Sequence, residues 1–110
     1  MYNNYKLNFL GGGNIAKALI TGLINSGFLS DDIKVYDIDS EKLNNLSKLT
    51  GVKGSTELSD IKDGFVILCV KPKDYPDLVL EIKNKTNIKT FLIGESLLKN
   101  LDKNSIFSVL

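Results

Sequence analysis

Apolar and polar positions along this chain follow two alternating periods, and each change of period marks a new element. After a polar lead-in at Met1–Asn4, Tyr5–Leu10 reads as a strand carried by Leu7, Phe9 and Leu10. Three glycines break it. Ile15, Ala18, Leu19, Ile20 and Leu23 then recur at helical spacing and predict a helix from Asn14 to about Ser26, its apolar face turned to a sheet and Gly27 placed for its C-terminal cap. A turn at Ser30–Asp32 leads into a short alternating strand, Ile33–Tyr36, that ends on Asp37. Ser40 and Glu41 mark the next helix start, and Leu43, Leu46 and Leu49 carry that helix to Gly51.

Val52–Lys53 reads as a weak third strand and Thr56–Ile61 as a short helix with Leu58 and Ile61 inward. The strongest strand is Phe65–Val70, apolar on both faces as a central parallel strand requires. Lys71-Pro72 ends it, since proline offers no N–H to a ladder. Asp74–Lys85 is amphipathic, with Leu78, Val79 and Ile82 on one side and Pro76 in the first turn. A fifth strand at Ile88–Ile93, a short helix at Ser96–Leu101 and a sixth strand at Ser105–Leu110 complete the alternation. Strands alternating with helices imply an α/β fold: one domain over residues 1–110, with helices on both faces of a doubly wound parallel sheet in three layers. The expected strand order is 3-2-1-4-5-6 with right-handed crossovers, and Phe65–Val70 is expected to be the most buried strand.

Composition narrows the chemistry. With 43% hydrophobic and 25% charged residues over 110 positions, the chain can build a core and is not of the disordered class. A net charge of +1 leaves no electrostatic footprint for nucleic acid. All 14 basic residues are lysines, so any phosphate must be held by backbone or lysine rather than by a guanidinium fork. Histidine is absent and Cys69 is the single cysteine, set in an apolar run and expected to be a buried core thiol; no metal site is expected, and the common Ser/His and Cys/His nucleophile arrangements are excluded. No secretory signal and no apolar run near membrane-spanning length is seen, which points to the cytoplasm and to no membrane partner.

Chemistry concentrates where the first strand meets the first helix. Gly11-Gly12-Gly13-Asn14-Ile15-Ala16 has the pattern Gly-x-Gly-x-x-Ala. For a bound dinucleotide, Gly11 allows the tight turn, Gly13 lets the backbone approach a pyrophosphate, and Ala16 lets the helix pack on the strand. The helix N-terminus offers free N–H groups to the phosphates, and Asn14 is placed to cap it. On this reading the fold is Rossmann-type. The competing reading is a glycine-rich loop that only joins a strand to a helix.

Asp37, at the end of the second strand, is placed to accept hydrogen bonds from the adenine ribose hydroxyls and to repel a 2′-phosphate, favouring NAD over NADP; Lys42 offsets part of that repulsion. Otherwise Asp37 is an acid in a solvated turn beside Asp39. Val70-Lys71-Pro72 falls at the carboxyl edge of the sheet, where ligands bind near the switch point, with Lys71 in reach of a ribose or phosphate. Gly94, after the fifth strand, either lets a ligand approach or caps a turn.

Phe9-Leu10-Gly11-Gly12-Gly13-Asn14-Ile15-Ala16-Lys17-Ala18-Leu19, together with Val66-Ile67-Leu68-Cys69-Val70-Lys71-Pro72, resembles the amino-terminal domain of pyrroline-5-carboxylate reductase over nearly the whole chain. Ser26-Gly27-Phe28, Ser40-Glu41-Lys42-Leu43, Gly51-Val52 and Glu81-Ile82-Lys83 agree in order and spacing. The resemblance implies that the domain binds NAD(P)H for reduction of the C=N bond of 1-pyrroline-5-carboxylate to proline. It assigns cofactor contacts to Leu10, Gly11, Gly12, Gly13, Asn14, Ile15, to Asp37, to Cys69, Val70, Lys71, Pro72, and to the turn at Gly94. Two features depart from the family: an acid stands at Asp37 where many members carry a small hydroxyl or a basic residue, and Ile93-Gly94-Glu95-Ser96 is shorter and more acidic than the usual small-residue turn.

The family continues past the sixth strand into a helical domain that dimerises and completes the substrate site, and no counterpart of it is read in this sequence. No catalytic residue is therefore assigned. Several functions stay open on the sequence: the NAD(P)H-binding domain of such a reductase, inactive until a separate helical domain or a homo-oligomer completes it; a non-enzymatic NAD(H)-binding module that regulates a partner; and a relic domain or a different reductase family that shares the cofactor fold.

Overall fold

The computed structural model describes residues 6–99. In chain order these form β1 (Leu7–Leu10), α1 (Asn14–Asn25), β2 (Ile33–Tyr36), α2 (Ser40–Thr50), β3 (Lys53–Ser55), β4 (Phe65–Leu68), α3 (Tyr75–Lys85), β5 (Phe91–Ile93) and α4 (Gly94–Lys99), with single 3-10 turns at Ser30–Asp32, Leu58–Asp60 and Pro72–Asp74. The strands make one parallel sheet in the order β3-β2-β1-β4-β5. The expected doubly wound α/β fold is therefore the observed one; the sixth strand expected at Ser105–Leu110 lies outside the described residues. Among the described residues, no helix is long and apolar enough to cross a membrane.

Both faces of the sheet are covered, which is why its strands read as apolar runs. On one face Leu7, Phe9, Ile33, Val35 and Ile67 pack with Leu19 and Leu23 of α1, Leu43 and Leu46 of α2, and Leu97 of α4. On the other, Leu10, Tyr36, Val66 and Leu68 pack with Ile61, Ile82 and Ile88. The register places Leu10 opposite both Tyr36 and Leu68. The next residues, Gly11, Asp37 and Cys69, thus leave the sheet side by side, at the point where the chain reverses its direction of winding.

Helix ends follow local chemistry. Past α1, Gly27 adopts φ +100°, its N–H donates to the Ile24 carbonyl and that of Phe28 to Leu23, both at 3.0 Å. This is a Schellman cap, sealed by Phe28 and Leu23 in the same core cluster. α2 starts at Ser40 as read from the sequence, and the residue before it is the cap: the Asp39 carboxylate accepts from the N–H groups of Glu41 and Lys42.

Three sequence expectations are corrected. The helix read over Thr56–Ile61 reduces to one 3-10 turn, because Ser55 Oγ accepts from the Glu57 N–H and donates to Asp60 Oδ2, giving the backbone a local alternative to helix. The strand read as Phe65–Val70 stops at Leu68. The most buried strand is β1, all four of whose residues are buried, whereas Phe65 of β4 is half-buried. β1 lies at the middle of the sheet and even accommodates Asn8, whose amide donates to the Asp63 and Phe65 carbonyls at 2.8 and 3.1 Å.

Candidate functional site

The glycine turn is held from both sides by its neighbours. The Gly11 N–H donates to the Tyr36 carbonyl at 2.7 Å, and the Cys69 N–H donates to the Leu10 carbonyl at 2.8 Å. Gly11 sits at φ +104°, and a Cβ there would stand 2.7 Å from the Cys69 carbonyl oxygen, so both conformation and space demand glycine. The Gly12 N–H donates to Asp37 Oδ2 at 2.8 Å, while Asp37 Oδ1 accepts from the Asp39 N–H at 2.9 Å. Asp37 thereby latches the turn to the end of β2.

Gly13 is the N-cap of α1, and a Cβ built on it would meet nothing within 4 Å. Here the sequence expectation for Asn14 is corrected: it is the first helical residue, and no side chain caps α1. No acid lies in the first turn either, so the positive end of this 12-residue helix carries no neutralising side chain of its own. Ala16 is fully buried, and its small side chain lets α1 approach the sheet; Ile15 is partly buried against the same core.

Beside the turn lies a groove of about 340 Å³. The strand ends Leu10 and Tyr36 border it with Gly11 and Val70, and Leu58 and Leu78 add apolar surface from the segment after β3 and from α3. Ile38 lines it although 95% exposed, an apolar side chain left in solvent between two aspartates. The charged lining consists of Asp37, Asp74 and Asp77. Leu10, Gly11, Asp37 and Val70 were legible as site residues; Tyr36, Ile38, Leu58, Leu78, Asp74 and Asp77 were not. Ile38 alone left a sequence signal, being apolar inside an acidic loop.

Cys69, Lys71, Pro72 and Gly94 do not line this groove. Lys71 is exposed and Pro72 opens a 3-10 turn. Cys69, expected as a buried core thiol, is partly buried and packs against the core, and burial pushes its thiol up to about 12. It stays protonated at neutral pH and is no nucleophile there. Gly94 is buried at the start of α4, where a Cβ would stand 2.5 Å from Cys69 Sγ and 2.9 Å from the Leu68 carbonyl. Close packing of α4 on β4 requires that glycine whatever else it does. Tyr36 is buried, its hydroxyl has no hydrogen-bond partner among the described residues, and desolvation, with Asp60 adding repulsion, raises it to about 12.

A family described as NADP oxidoreductase, coenzyme F420-dependent, matches residues 6–101. The pyrroline-5-carboxylate reductase of Methanosarcina acetivorans is 28% identical over 94 residues, a stretch covering 83% of this chain and 35% of that protein. The reductase of the same name from Corynebacterium melassecola is 35% identical over 75 residues, covering 66% and 28%. A solved pyrroline-5-carboxylate reductase from Coxiella burnetii matches with a TM-score of 0.67 at 29% identity, over 74% of this chain and 31% of that one. The chain spans about a third of the length of these relatives.

Proposed function

We propose, from the premise that this chain belongs to the family described as NADP oxidoreductase, coenzyme F420-dependent, that residues 1–110 form the dinucleotide-binding domain of a pyrroline-5-carboxylate reductase-like enzyme. The observation that carries this reading is the cradle at Gly13: open space where a Cβ would stand, at the uncapped N-terminus of α1 and next to a carboxylate already fixed at the end of β2. Such a cradle suits a pyrophosphate, since N–H groups and the helix dipole both favour an anion there.

Backbone from Gly11 to Ala16 holds the pyrophosphate. Asp37 keeps lone pairs for the adenine ribose hydroxyls while it latches Gly12, and the groove between Leu58 and Leu78 takes the adenine, with Ile38 over it. Val70, Lys71, Pro72, Cys69 and Gly94 flank the nicotinamide half. When bound, NAD(P)H supplies the hydride that reduces the C=N bond of 1-pyrroline-5-carboxylate to proline. A carboxylate at Asp37 favours NADH over NADPH. A helical domain, on the same polypeptide or another, or a second copy completes the substrate site.

Calorimetric titration of the purified chain with NADH and NADPH tests the reading. NADH is expected to bind about tenfold more tightly, equivalent to about 1.4 kcal/mol. Absence of binding by both cofactors overturns it.

A further inference from the structure

We infer that selection against a 2′-phosphate is made from two walls of the groove, with Asp74 and Asp77 as specificity determinants on the α3 side facing the one that Asp37 closes. The inference rests on the dinucleotide reading above and extends it to residues outside the glycine turn and the β2 end. Asp37, Asp74 and Asp77 all line the groove, and among the described residues no lysine does. Lys71 and Lys73 flank Asp74 in sequence and are exposed, and Lys42 lies on α2; none belongs to the lining.

Neither α3-side acid forms an ion pair among the described residues. Asp74 occupies the N-cap position of α3, yet its side chain makes no capping hydrogen bond. Asp77 lies in the first helical turn, where it complements the helix dipole. The ion pairs found among the described residues are Lys6 with Asp32, Lys85 with Glu81 and Lys99 with Glu95, so both charges are left to act on whatever occupies the groove.

A 2′-phosphate brings roughly −1.5 to −2 charges to the ribose. In this groove it meets carboxylates from the end of β2 and from α3, with no cation among the described lining residues to offset them. Asp74 and Asp77 are exposed, so their repulsion is solvent-screened and individually modest, and it depends on salt. Free 2′- and 3′-hydroxyls suffer no such repulsion and gain an acceptor in Asp37. Removing Asp37 alone therefore leaves a residual preference for the unphosphorylated ribose.

The test uses two ligand pairs that differ only in the 2′-phosphate: AMP with adenosine 2′,5′-bisphosphate, and NADH with NADPH. Dissociation constants are measured for the unmodified chain, Asp37→Ser, the double variant Asp74→Asn/Asp77→Asn, and the triple variant. Asparagine also serves as an N-cap, so the double variant is expected to keep its fold, checked by its melting temperature. The double variant should lose about threefold of the preference in both pairs, because affinity rises more for the 2′-phosphorylated ligand of each pair than for AMP or NADH, and the triple variant should lose the preference entirely. Raising salt from about 0.01 to 1 M, which shortens the screening length from roughly 30 to 3 Å, should shrink the preference in the unmodified chain more than in the double variant. A double variant that binds NADH and keeps the original ratio overturns the inference while the dinucleotide reading stands. If the unmodified chain binds neither AMP nor NADH, the dinucleotide reading falls and the inference with it.

Discussion

Gly11 and Gly13 stand two positions apart and, on the proposed function, answer opposite demands, one from the protein and one from a dinucleotide. At Gly11 a side chain collides with the Cys69 carbonyl at 2.7 Å and the backbone holds φ +104°, so Gly11→Ala is expected to destabilise the chain by about 1–3 kcal/mol, read in a denaturant melt. At Gly13 there is open space. Gly13→Val should leave the melting temperature nearly unchanged and abolish dinucleotide binding; a valine variant that still binds NADH would place the pyrophosphate elsewhere. Asp37 has both kinds of duty. Asp37→Ser should narrow the NADH/NADPH ratio and also cost about 1 kcal/mol, because the Gly12 N–H loses its 2.8 Å acceptor. Tyr36 sets an alkaline limit on stability. Its hydroxyl, raised from 10.0 to about 12 by burial, stays neutral in the folded state while the unfolded chain ionises. Stability is thus fully present below pH 10 and is lost as pH rises towards 12. Tyr36→Phe removes both the unpaired hydroxyl and the titration, and it is expected to flatten this decline and raise the melting temperature at neutral pH.

At the scale of elements, the site comes from strand register. Because Leu10, Tyr36 and Leu68 lie level across β1, β2 and β4, the residues that follow them emerge together at one edge of the sheet. Parallel strands have no turn to set their register, so it is set by the faces they bury. α4 completes the edge by closing on β4 through Gly94. Gly94→Ala should lower the melting temperature by several degrees, since its Cβ meets Cys69 Sγ at 2.5 Å and a backbone carbonyl at 2.9 Å. Adding Cys69→Ala should recover part of the loss, because it removes the sulfur and leaves the carbonyl contact. No recovery in a double-mutant cycle would mean that the carbonyl contact dominates.

At the scale of the whole molecule, fold and chemistry come apart. A Rossmann-type sheet positions a cofactor and serves many reactions, so the reaction depends on what else reaches the nicotinamide. Hydride transfer needs cofactor and imine held at near-attack distance in a closed site, a positioning effect that accounts for ~7–11 kcal/mol of barrier lowering. We expect this chain by itself to show no measurable reduction of 1-pyrroline-5-carboxylate at saturating NADH. Turnover should recover in part when a separately expressed helical domain of the reductases is added. Robust turnover by the 110-residue chain alone would instead mean a self-contained reductase assembled through oligomer contacts.

The order of the five described strands and of α1 to α4, the glycine turn, the Gly27 cap of α1 and the position of Asp37 were determined by the sequence alone, because each depends on neighbours within a few residues: a hydrophobic period, a positive φ, a residue at the end of a strand. The resemblance carried by the Gly-rich loop and the Val-Lys-Pro ending was legible for the same reason, being written in two contiguous runs. Only the tertiary structure decided that Asp37 latches Gly12, that Gly94 packs against Cys69, that β1 and not β4 is the most buried strand, and that Leu58, Leu78, Asp74 and Asp77 share a groove with Tyr36. Those facts join segments far apart in the chain. Local periodicity tells which face of an element is buried, but not which distant side chain it meets; that follows from the parallel register and from how the connecting segments close over the sheet.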